Sequence, residues 1–172
     1  MPDFGKVDDS KLTPLAVYRG EDEDETQEVH HLAERATTFI ESFSWCKGVR
    51  DVLVGDVTVG KVLSVFLCSI VPSTDGVDDL LWTIVGDLPP GYIAVSDDTA
   101  NPASALDAYL GEIEQWISAA REGRAIDDLM PVLTADGGGE IPPTRANAEQ
   151  LEQRLRFIDD EILTNYRGDL AR

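Results

Sequence analysis

The stretch GDVTVGKV, residues 55–62, falls one residue short of a phosphate-binding loop. That loop, G-x-x-x-x-G-K-[ST], uses its final hydroxyl to hold magnesium, and Val62 stands in that place. It also needs a helix directly after the lysine, whose first N–H groups and positive dipole end face the phosphates. The residues after Lys61 are VLSVFLCSIV, rich in β-branched side chains, which predicts a strand. LLWTIVGD imitates the strand that carries a second magnesium ligand, here Asp87. With no helix expected between Lys61 and Asp87, the β–α–β crossover cannot be built. The nucleotide reading of Gly55–Val62 is therefore rejected in favour of strand, turn and strand, with Gly55 and Gly60 easing the bends.

Other chemistry has less to work with. Acidic pairs recur at Asp8-Asp9, Asp78-Asp79, Asp97-Asp98, Asp127-Asp128 and Asp159-Asp160. None sits in a window with the alternating oxygens, central glycine and terminal glutamate of a calcium loop. His30 and His31 are adjacent, so on a helix they diverge by about 100° and do not converge on one ion. Cys46 and Cys68 lie in apolar surroundings, outside any C-x-x-C pair, and read as buried thiols. No serine occupies a G-x-S-x-G elbow. The sequence thus assigns no catalytic residue, no metal ligand and no cofactor, and leans away from an enzyme.

One constellation remains. Trp82, Asp87, Tyr92, Asp97 and Asp98 fall on one expected strand pair around the rigid Pro89-Pro90 turn. Rings beside fixed carboxylates could grip a cationic group through ring faces and ion pairing. These residues form the candidate rim for a small ligand, for a partner or, in the alternative reading, for an enzyme's substrate.

The charge has two readings, solubility and a dedicated basic partner. The chain has 172 residues, 14 basic against 33 acidic, for a net charge of −19. Such a field repels nucleic acid and anionic membranes and attracts basic partners. The opening MPDFGKVDDSKLTP carries no apolar leader segment, and the longest apolar run, VLSVFLCSIV, is too short to span a bilayer as a helix. The expectation is a cytoplasmic protein.

These residues must be positioned by ordinary elements. Residues 1–25, ending in EDEDE, read as an acidic, partly disordered tail. TQEVHHLAERATTFIESF carries Val29, Leu32, Ala33, Ala36, Ile40 and Phe43 on one stripe of a helix. Then DVLVGDVTV, KVLSVFLCSIV, LLWTIVGDL and GYIAVS predict about four strands, joined by connections too short for parallel pairing. The run after Lys61 is apolar on both faces, with Leu63, Val65 and Leu67 on one and Val62, Phe66, Cys68 and Ile70 on the other. It belongs in the middle of the sheet.

Asn101 with Pro102 opens a second helix that Gly123 closes, and Thr144 caps a third. Ala148, Leu151, Leu155, Ile158 and Ile162 of the last form a narrow seam, for its own domain or for a homodimer through the 148–162 helix. The fold class is α+β, in one domain over residues 26–166 with a short tail at 167–172. An N-terminal helix precedes a central antiparallel meander, and two C-terminal helices pack on one face.

The run LLWTIVGDLPPGYIAVSDDTANPASALDAYLGEIEQWI resembles a family of small acidic bacterial proteins of unknown function. The likeness rests on W-x-I-V-G-D-L-P-P-x-Y, a D-D turn and a proline-started helix carrying tyrosine and tryptophan. It spans roughly residues 39 to 165 and implies a bacterial cytosolic origin and one domain, with no activity to carry over. The functional expectation is a non-enzymatic interaction protein, an inhibitor of the immunity or antitoxin kind that binds a basic partner.

Overall fold

The computed structural model describes residues 5–60, 62–76, 78–134 and 138–170. Strands β1 (Leu12–Pro14), β2 (Cys46–Gly55), β3 (Leu63–Pro72), β4 (Leu80–Gly86) and β5 (Gly91–Ala94) form one sheet in the order of the chain. Every pairing is antiparallel. Helices α1 (Glu23–Glu41), α2 (Pro102–Glu122) and α3 (Arg145–Glu161) complete the α+β fold.

The middle position of β3 follows from its composition. Leu63, Val65 and Leu67 enter one apolar cluster with α2 and α3, and Phe66, Cys68 and Ile70 enter a second with α1. The two-residue period of a strand sends alternate side chains to opposite faces, so a strand apolar on both must be covered on both. Val62 departs from the expected alternation. It precedes the strand and packs with the α2 cluster.

Both faces of the sheet are covered. Two C-terminal helices cover one face as anticipated, and α1 covers the other, burying Val29, Leu32, Ala33, Ala36, Phe39 and Ile40. The acidic block read as part of a tail is the first turn of α1. Asp22 caps it, its carboxylate accepting the Glu25 amide at 2.8 Å, and Glu23, Asp24 and Glu25 sit at the positive dipole end. The same N-terminal segment supplies β1, the strand beyond the expected four.

The other caps fall where the residue types put them. The Asn101 side chain accepts the Ser104 amide at 2.8 Å, Gly123 takes φ +68°, and the Thr144 hydroxyl accepts the Asn147 amide at 3.1 Å. The seam, four residues of α3 and its C-cap Ile162, is buried within its own domain, in the α2 cluster, and Phe157 is the helix's exposed large apolar residue. No helix among the described residues is long and apolar enough to cross a membrane.

GDVTVGKV folds as strand and turn. Gly55 ends β2, the Val59 amide donates to the Leu63 carbonyl at 2.7 Å, and Gly60 turns the chain at φ +49°. Lys61 lies outside the described residues. No helix begins after it, because β3 starts at Leu63.

Candidate functional site

The two ends of the sheet are built differently. At one, β1 is three residues long and ends in proline, which removes a ladder donor and shortens the exposed edge. At the other, β5 pairs with β4 alone among the described residues, and its far side borders a cleft of about 620 Å³.

Three contacts set β5 at that edge. The buried Tyr109 hydroxyl of α2 donates to the Pro89 carbonyl, anchoring the Pro89-Pro90 turn. Gly91 lets the strand rest against α2, since a Cβ there would lie 2.8 Å from the Tyr109 ring. Past the strand, the Thr99 hydroxyl donates to the Ala94 carbonyl at 2.7 Å and accepts the Ser96 amide at 2.8 Å, turning the chain under the sheet.

The cleft is walled by elements from four parts of the chain. Phe39 and Phe43 come from the end of α1 and the turn after it, and Ala108 and Glu112 from α2. Met130, Pro131, Leu133 and Glu140 come from an arm in which the Ile141 amide donates to the Val132 carbonyl at 2.8 Å. Aromatic rings cluster at the α1 side. Phe43 stacks on Trp45 at 5.0 Å between centroids, and Tyr92 meets both edge-on at 5.2 Å. Tyr92 is 39 % exposed. The charged side chains of the described lining are Glu112 and Glu140, both acidic.

The residues singled out from sequence do not share this surface. Trp82 faces Ile93 across the β4–β5 pair and Tyr92 faces Thr83, one step along, so the two rings point to opposite faces. Trp82 is wholly buried, its indole N–H donating to the Thr99 carbonyl at 2.8 Å. Asp87 lies beside Gln150, Arg154 and Phe157 of α3. Asp97 pairs with Lys6 at 2.9 Å, and the Asp98 amide donates to the Ser96 hydroxyl at 3.2 Å. Of the five rim residues only Tyr92 lines the cleft. Phe39, Phe43, Met130 and Leu133 escaped a sequence reading because no local spacing links them; the phenylalanines looked like ordinary helix stripe.

The thiols and histidines take no part. Burial pushes the Cys68 thiol up to about 11, with the Thr83 hydroxyl donating to its sulfur at 3.6 Å. Cys46 is shifted the same way, again by burial. Both are free. At pH 8 a thiol of that pKa is only about 0.1 % thiolate, so it is a poor nucleophile. Ellman's reagent is therefore expected to leave Cys68 unmodified in the native protein and to titrate both cysteines in guanidinium; rapid native labelling of Cys68 would contradict its place in the core. Among the described residues no group of three His, Cys, Asp or Glu side chains is arranged to hold a metal ion.

Compared with family models, with curated proteins and with solved structures, the chain matches none.

Proposed function

We propose that this protein is a non-enzymatic binding protein for a basic protein partner, an inhibitor of the immunity or antitoxin kind. The observation that carries the reading is the cleft beside β5, apolar and aromatic in its floor and bearing only carboxylates among its charged lining, on a chain of net charge −19. Hot spots of protein interfaces are enriched in tyrosine and tryptophan, and Tyr92 lines the cleft with the Trp45 ring packed edge-on against it. The long-range field brings a basic partner in quickly, and the buried aromatic contacts then slow its release.

The test begins with the full chain as bait in cell extract at low salt, with bound proteins identified and the leading one purified. The expected result is a basic protein whose binding to the pure chain weakens steeply as salt rises, and whose toxicity on expression is relieved by co-expression of this chain. A purified partner that is acidic, or binding indifferent to salt, would count against the reading.

A second reading is supported by the cleft's size. Its 620 Å³ falls within the range of about 300–1,000 Å³ usual for small-molecule sites. Here a cation with an apolar body would lie on the aromatic floor. A thermal shift with cationic metabolites, lost in Glu112→Gln and kept in Asp87→Asn, would favour this reading over the rim first inferred from sequence.

A further inference from the structure

The cleft has a position that says more than its lining. It borders all four residues of β5 and is walled by both helical layers, with Phe39 and Phe43 on the α1 side and Ala108 on the α2 side, and by the arm residues Met130, Pro131 and Leu133. In a sheet covered on both faces, that is the place a further strand would occupy. The strand β5 is four residues long and the cleft beside it holds about 620 Å³.

We propose that the partner docks by strand addition: an extended segment of alternating apolar and basic residues lies along β5 as a sixth strand. This rests on the basic-partner reading above and adds to it the mode of contact. Backbone hydrogen bonds to the β5 edge would supply much of the affinity. The alternating side chains of the segment would divide between the two layers, apolar ones against Phe39, Phe43 and Leu133 on the α1 side. Its basic residues would reach outward to Glu112 and Glu140 at the rim. The charge argument fixes the chemistry of the occupant, since an acidic strand would meet two carboxylates and a field of the same sign.

The probes are four synthetic hexapeptides: KVRVKV, its acidic counterpart EVEVEV, and two forms of KVRVKV methylated on one or the other set of alternate backbone nitrogens. Binding to the full chain is read by amide NMR shifts and hydrogen exchange. The expected result is that KVRVKV shifts the Tyr92, Ile93 and Ala94 resonances and protects those of their amides that point away from β4, that EVEVEV does not bind, and that N-methylation on the pairing edge weakens binding at least about tenfold, the loss of several backbone bonds. Glu112→Gln with Glu140→Gln should weaken KVRVKV about three- to tenfold, as rim charges do. Glu140 is exposed and Glu112 half-buried at the cleft, and the isosteric changes leave the fold intact. If KVRVKV binds but shifts residues away from β5, or tolerates methylation on either edge, strand addition is wrong while the basic-partner reading stands. If neither KVRVKV nor polylysine binds at low salt, both readings fail.

Discussion

Gly86→Ala should cost the native state about 3 kcal/mol or more, lowering the thermal midpoint by roughly 6–12 °C for a chain of this size. Gly86 ends β4 with φ +141°, where an L side chain is strained whatever the space around it. The space is also absent. A Cβ there would lie 2.6 Å from the Val62 carbonyl oxygen and 3.0 Å from Leu63 Cα. Both are backbone atoms, so no rotamer change relieves the contact. Moving the Val62 carbonyl would also weaken its hydrogen bond from the Asp87 amide, 3.0 Å long in the native fold. An internal comparison sharpens the expectation. Gly111, within α2, has nothing within 4 Å of a Cβ, so the same substitution there should stabilise by about 0.5–1 kcal/mol. Urea denaturation of the two variants should shift midpoints in opposite directions with unchanged slope; a neutral Gly86→Ala would remove the claim that this corner is fixed by backbone contact.

The second large effect is expected at Trp82. Its ring is wholly buried among α2-facing residues, and truncation to alanine should cost about 3–5 kcal/mol, a large share of the roughly 5–15 kcal/mol that holds an ordinary domain. Trp82→Phe separates packing from hydrogen bonding. It keeps most of the apolar volume but leaves the Thr99 carbonyl without the indole donor, an acceptor whose loss of a partner costs about 1–3 kcal/mol. Thr99 also closes the exit of β5 through the Ala94 carbonyl and the Ser96 amide. Trp82→Phe should therefore speed hydrogen exchange at residues 94–99 more than at β3. Uniform loss of protection would show that the bond does not act locally.

Much of the architecture could be read from residue types. The apolar run after Lys61 predicts a strand covered on both faces, and Asn101, Gly123 and Thr144 mark helix ends because their local chemistry is self-contained. Three features were not legible, each for a physical reason. The three residues of β1 are too few to show a period, and they become a strand only because Gly55, Val54 and Leu53 lie opposite them. The stripe of α1 announces a buried face without saying which layer receives it. The rim around Trp82 and Tyr92 depended on register, and a shift of one residue sends a side chain through to the other face. The cleft itself joins residues from α1, β5, α2 and the arm before α3, a proximity that exists only once the chain has folded.

Strand order that follows chain order has a consequence during synthesis. As the polypeptide leaves the ribosome, α1 and all five strands emerge first and can assemble from neighbours alone, with one face already sheltered. The opposite side, bearing Leu63, Val65, Leu67, Trp82 and Ile84, stays bare until the residues of α2 and α3 have been translated. At about 5–20 residues per second that interval lasts several seconds, which makes this greasy intermediate the moment when a nascent chain most needs chaperone protection.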